Sequence, residues 1–289
     1  MTSGRFINSP ERMIEAVRRY GIIPLFRGSV PGWSIQELTA PGCWFDDDEG
    51  MLGPWDWKVD VVREGDIAYG KFLGGKAAFA TLPWYRELMR WRRSLERYRV
   101  ALGEDVGVGA GKGRRAALAR RKPATNAEKL MKIYAPVALK AVREAGALGS
   151  KELRLLCGQA VTDAQIKSLG PRYTPLLTPA PKKNVMDSIV QFLQMGTWIV
   201  VGDITRVYRG PNLTYNGWQL ASNTTPEELF GEMAPAGGGP TWARRFEEAT
   251  AAHSPAIDDG NPTAARGRII AHVQSMCPGA GREALEKLI

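Results

Sequence analysis

A chain of 289 residues, 44% hydrophobic and 24% charged, is long enough to bury a sizeable core and to hold about two domains, which excludes disorder for most of its length. Cys43, Cys157 and Cys277 lie far apart with no CxxC pair, the N-terminus lacks a basic region followed by an apolar run, and no window approaches the roughly 18 apolar residues of a membrane span, so a soluble cytoplasmic protein is expected rather than a secreted disulfide scaffold or a membrane protein. A formal net charge of +9 favours polyanionic partners through phosphate contacts, with DNA the expected one; oligomeric state is not legible.

In chain order, residues 10–20 predict a helix: Met13, Ile14 and Val17 fall at helical spacing and Pro10 occupies the first turn. From Gly21 to Leu82 glycine, proline and aromatic residues dominate. Two apolar runs, 57–62 and 67–73, flank Glu64-Gly65-Asp66 and predict a hairpin there. Trp84, Leu88, Trp91, Leu95 and Tyr98 recur at steps of four and three, predicting one helix whose other faces carry Arg86, Arg90, Arg92, Arg93, Arg97 and Arg99. Residues 103–125 read as a linker, glycine-rich and then basic, with Lys112, Arg114, Arg115, Arg120, Arg121 and Lys122 uninterrupted by an acid.

Residues 127–145 predict a helix, Ser150 the N-cap of a second, and 171–183 a proline-rich connector. Residues 184–195 form an amphipathic pattern with Val185, Ile189, Phe192 and Leu193 on its apolar face. Two strand-like runs, 197–208 and 215–221, follow it, separated by Arg209-Gly-Pro-Asn. Three helices and a hairpin in this order are the arrangement of a winged helix. Thr225 caps another short helix, and residues 241–289 read as two or three helices broken near 254–262 and 278–281. No convincing internal repeat is visible. The expected fold class is therefore α+β: an aromatic-rich module over 1–100, a basic linker over 101–125, a winged-helix domain over 126–231 and a helical tail over 232–289.

Several motifs invite sharper readings. Gly107-Val-Gly-Ala-Gly-Lys112 fails as a phosphate loop, because the glycine spacing is wrong and Gly113 stands where Ser or Thr is needed. Asp56-Trp57-Lys58 matches the acid-x-lysine ending of one nuclease fold, with Asp46, Asp47 and Asp48 upstream as magnesium ligands; the bland reading is a salt bridge or a solvated turn. Trp55 and Trp57 can stack on bases, although alternating tryptophans of a strand more often place one ring in the core. His253 and His272 are the only histidines and neither stands near a cysteine at metal spacing, so no metal and no cofactor are expected. The nucleic-acid-binding candidates are Lys112, Arg114, Arg115, Arg120 and Arg121 of the linker, Lys182, Lys183, Asn184 and Gln191 of the third helix, and Arg206 and Arg209 of the wing. On that helix Asp187, Ser188 and Gln194 are also polar, and a face that simply meets solvent is the alternative.

Leu193-Gln-Met-Gly-Thr-Trp-Ile-Val-Val-Gly-Asp203, Tyr215-Asn-Gly-Trp218 and Thr225-Pro-Glu-Glu-Leu-Phe-Gly231 resemble the bacterial family of AlkZ-related proteins. Gly53-Pro-Trp-Asp-Trp-Lys58, Tyr69-Gly-Lys-Phe72 and Lys76-Ala-Ala-Phe79 extend the resemblance from about residue 20 to 231. It points to DNA glycosylases built from tandem winged helices, which remove alkylated or crosslinked bases. Residues 77–83, running into Leu88-Met-Arg-Trp-Arg-Arg93, look like the glycosylase segment that ends in Leu-Leu-Pro and enters an Arg-Trp-Arg helix. The glycosylase signature of glutamine, a hydrophobic residue, then glutamine or aspartate is absent; Pro24-Leu-Phe-Arg27 aligns there. The aromatic-x-His element would fall at Tyr69-Gly-Lys71, which has no histidine. The resemblance implies the fold and DNA binding more than catalysis, so a non-catalytic DNA-binding protein is expected. A DNA glycosylase, with Asp56, Lys58, Tyr69 and Lys71 as catalytic candidates, is the alternative, and a protein-interaction module a third.

Overall fold

The computed structural model describes residues 6–41, 43–44, 53–103, 125–209, 211–231 and 260–289. Asp46, Asp47, Asp48, His253 and the basic residues Lys112, Arg114, Arg115, Arg120, Arg121 and Lys122 lie outside them. Among the described residues the fold is mixed α and β, with two small antiparallel sheets among many helices, and no helix is long and apolar enough to cross a membrane.

The first unit opens with α1 (Pro10–Tyr20), where Ser9 accepts from the Arg12 amide and Met13 and Val17 are buried. Strand β1 (Ile22–Pro24) and the short helix α2 (Ile35–Leu38) follow, then α3 (Pro54–Arg63). Helix α3 corrects the expected hairpin: residues 57–62 are helical, and the hairpin is β2 (Ile67–Leu73) with β3 (Lys76–Thr81), turning at Gly74-Gly75. The β-branched run Val59-Asp-Val-Val62 suggested a strand, but Pro54 at the first helical position and Asp56 in the first turn favour a helix start. The helix then buries Trp57, Val61 and Val62 in the first core, and this packing outweighs the propensity of the run. Trp55 and Trp57 therefore do not alternate across a sheet. Strand β1 pairs with β3 (Ile22 opposite Ala80, Ile23 opposite Phe79), so the sheet order is β1-β3-β2.

The expected single helix over 84–98 is two: α4 (Leu82–Ser94) and α5 (Glu96–Leu102), broken at Leu95, whose backbone is extended. The break divides the apolar stripe between two cores. Trp84 and Leu88 join the first, while Tyr98 joins a second formed by the helices after residue 125. Nor do all the arginines face solvent: Arg92 is buried and donates to Phe72 O at 3.2 Å and Leu288 O at 2.8 Å.

The second unit runs α6 (Asn126–Ala145), capped by the reciprocal Thr125–Glu128 box, β4 (Ala147–Gly149), α7 (Ser150–Ala160), the short helices α8 (Asp163–Ser168) and α9 (Thr174–Leu177), and α10 (Lys183–Met195). Ser150 is the first residue of α7 and Gly149 its cap, one residue from the expected position. The hairpin β5 (Val200–Arg209) and β6 (Thr214–Thr224) then forms where expected, and β4 adds to it in the order β4-β6-β5. Both units thus share one plan, absent from the sequence as a repeat: helix, short strand, helices, hairpin, with the short strand paired to the hairpin's last strand. Helix α11 (Pro226–Phe230) closes the second unit. The C-terminal helices α12 (Pro262–Met276) and α13 (Arg282–Leu288) pack on the first core through Ile269, Ile270, Val273 and Leu285, and His272 stacks on Trp84 at 4.0 Å.

Candidate functional site at the meeting of the two units

Each unit places the helix that leads into its own hairpin, α3 in the first and α10 in the second, against the other's hairpin. On one side, α3 meets β5 and β6: Arg206 pairs with Asp60 at 3.1 Å and donates to Asp56 O at 3.3 Å, and Arg63 lies 3.6 Å from Asp203. On the other side, α10 meets β2. Gln194 Oε1 accepts from the Lys71 amide at 3.0 Å, and its Nε2 donates to Asn223 Oδ1 at 2.8 Å. Gln191 sits so close to Gly75 that a Cβ there would fall 2.1 Å from its Nε2.

Where these contacts converge, a cleft of about 250 Å³ is walled by α3, α10, both hairpins and the start of α7. Three of the four catalytic candidates, Lys58, Tyr69 and Lys71, line it. Asp56 stands at its edge, accepting from the Tyr215 hydroxyl and from Gln219 Nε2 (2.9 Å). Tyr215 and Gln219 are four apart on a strand and so share a face, a spacing that could have marked them in advance. Gln219 Oε1 is buried with no hydrogen-bond donor.

Lys58 is the most perturbed of these groups. Its helix packs Trp57 and Val61 into the core, which carries Lys58 into the wall at 4% exposure. Its Nζ donates to Trp55 O at 2.5 Å and lies 3.3 Å from the Trp55 ring centroid. Burial pushes its amine down to about 7; Asp56 opposes that shift and Arg206 adds to it. Burial alone raises Tyr69, which packs on Phe79 at 4.7 Å. Tyr215 is pushed up to about 12, first by burial and then by its bond to Asp56.

The nucleic-acid candidates scatter. Lys182, Lys183 and Asn184 are exposed at the start of α10, and Lys183 pairs at 3.2 Å with Asp187, a residue of the cleft wall. Gln191 is half-buried between the units, Arg206 is bound to α3, and Arg209 ends β5. Among the described residues no three His, Cys, Asp or Glu side chains stand where they could hold a metal ion. Asp56, the acid of the supposed nuclease triplet, is instead held by Tyr215 and Gln219. Pro24-Leu-Phe-Arg27, aligned with the glycosylase glutamines, leads out of β1. Leu25 is buried there, and Phe26 packs on Trp44 (5.6 Å) and Trp55 (6.0 Å).

No curated protein and no solved structure gives a significant match to the chain. Residues 7–104 and 119–289 match the family described as AlkZ related, which spans both units, the cleft between them and the C-terminal helices. With most of its length covered, the chain belongs to the AlkZ-related family.

Proposed function

We propose that each unit is a winged helix, that the chain is a DNA-binding protein of DNA repair, and that the cleft between the units receives an everted damaged nucleotide without hydrolysing it. The observation that carries this reading is the cleft itself, a small half-open site where α3, α10 and both hairpins converge. At about 250 Å³ it is smaller than the roughly 300–1,000 Å³ typical of drug-sized ligand pockets, a size suited to a base or a sugar. A nucleotide turned out of the stack needs a flat surface and hydrogen-bonding groups to replace what it leaves, and Trp55, Gln219 and Lys58 offer both.

The element order and the position of the short strand support two winged helices, with boundaries near residues 100 and 126. Because the inner surface of α10 is taken up by the first unit, Gln191 is poorly placed to read a major groove. Lys182, Lys183 and Asn184 are then phosphate contacts that position the duplex. A non-hydrolytic role follows from the chemistry at the glycosylase positions. Base excision needs a polar group to hold the attacking water, and Phe26 is an aromatic side chain packed on two tryptophans.

Fluorescence anisotropy with undamaged, alkylated and tetrahydrofuran-containing duplexes tests this, paired with alkaline cleavage to detect released bases. Tighter binding to the damaged duplexes with no base release is expected. Equal affinity for all three removes the pocket's role, and release abolished by Asp56→Ala establishes a glycosylase instead. No binding at all leaves the protein-interaction reading.

A further inference from the structure

We propose that the Lys58 amine is a nucleophile that condenses with the ring-opened aldehyde of an abasic deoxyribose held in the cleft. This deepens the reading above and rests on it. Three observations converge on Lys58. It belongs to the cleft wall, beside Trp55 and Gln219. Its described polar partners are a backbone carbonyl and the face of Trp55, neither of which must be protonated or neutralised for the amine to leave. The neighbouring Gln219, in the same wall, has a buried Oε1 without a hydrogen-bond donor, so this end of the cleft holds an unmet polar demand.

The step balances without a further reactant. The amine lone pair adds to the aldehyde carbon, a proton passes from nitrogen to the resulting alkoxide, and the carbinolamine loses water to leave a C=N bond. Only the neutral amine can add. An exposed lysine with an ordinary amine is almost wholly protonated at neutral pH, whereas burial leaves a large neutral fraction of Lys58. The charged and titratable groups around it are Asp56 and Asp60 on α3, Tyr69 and Lys71 on β2, Asp187 on α10, Arg206 on β5 and Tyr215 on β6. Asp60 is paired with Arg206 and Asp187 with Lys183, while Asp56, held by Tyr215 and Gln219, favours the charged amine and is outweighed by burial.

The test uses the full chain, a duplex with one aldehydic abasic site, and borohydride, which reduces the imine to a stable secondary amine. A second duplex carrying tetrahydrofuran, which has no aldehyde, measures binding alone. A cross-link that maps to Lys58 and disappears in Lys58→Arg and Lys58→Gln, each assayed at a concentration that saturates it with the tetrahydrofuran duplex, is the expected result. A cross-link mapping to Lys71 or surviving in both variants overturns the assignment. Tetrahydrofuran binding without any cross-link overturns it too, yet leaves the DNA-binding reading standing, whereas absence of binding to either duplex ends both. Pyridoxal 5′-phosphate with borohydride supplies a readout independent of DNA. Labelling of Lys58 should reach half its maximum near pH 7, and a half-maximum in the ordinary lysine range overturns the inference.

Discussion

Below about pH 7 the folded chain carries a charged ammonium in the apolar wall beside Trp55, and the unfolded chain carries the same charge in water. The folded amine titrates near 7 and the unfolded one near 10.5, so between those values the unfolded state binds more protons and folding stability rises with pH. The penalty is fully present below about 7 and relieved as pH climbs towards 10.5. Lys58→Met keeps an unbranched chain against Trp55 and removes the titration. Urea unfolding from pH 6 to pH 9 should show a weaker rise for the variant. The difference in slope is at most one proton, about 1.4 kcal/mol per pH unit. Parallel curves would show that the amine is better solvated than its 4% exposure indicates. Cys157 illustrates the opposite case: its thiol is pushed up to about 12 by burial in the second core and behaves as a small apolar side chain.

At the scale of an element, α10 shows how one polar face is divided by packing. Gln191 and Gln194 read alike on an amphipathic helix, as side chains available to solvent or to a base edge. Their surroundings differ: Gln194 is 4% exposed and joins Lys71 of one unit to Asn223 of the other, whereas Gln191 makes a single long contact to Met195 Sδ at 4.0 Å. Gln194→Ala leaves an amide N–H and an amide oxygen without partners and should cost about 1–3 kcal/mol in urea unfolding. Gln191→Ala should cost no more than about 0.5 kcal/mol. Equal losses would mean that the hydrogen bonds between α10 and β2 contribute nothing particular to the junction. Helix α3 was misread for a related reason. Its β-branched run matches a strand locally, and only the contact of Trp57 and Val61 with the core, seen in three dimensions, separates the two outcomes.

Over the whole molecule, the two units are joined by α4 and α5, which send one apolar stripe into both cores, and by the reciprocal seating of α3 and α10 on the other unit's hairpin. If the basic segment after residue 103 contributes to DNA affinity, it does so through phosphates. Neutralising Arg114, Arg115, Arg120 and Arg121 should then weaken binding to every duplex and reduce the slope of log K against log salt by roughly one per charge. Preference for a damaged duplex should be unchanged if, as proposed, the cleft is what receives the damaged nucleotide. Titration of one damaged and one undamaged duplex over a range of salt decides this, and an unaltered slope would show that the segment touches no phosphate.

Much of this protein was determined by sequence alone: the mixed class, helices α6, α7, α10 and α11 of the second unit, its hairpin, the basic character and the family, whereas α8 and α9, the latter inside the expected connector over 171–183, were not legible. These follow from periodicity, capping and turn residues that act within a few positions of one another. Tertiary structure alone decided that α3 is a helix, that the stripe of α4 bends at Leu95, that both halves follow one plan, and that Lys58, Tyr69 and Lys71 face Gln194 and Gln219 across a cleft. Residues that meet at this junction lie far apart in the chain, 163 positions in the case of Asp56 and Gln219, and no local pattern encodes such a meeting. It arises because α3 and α10 each leave a surface that is covered by the other unit's hairpin, and burial of that surface sets both the register and the environment of the lysine between them.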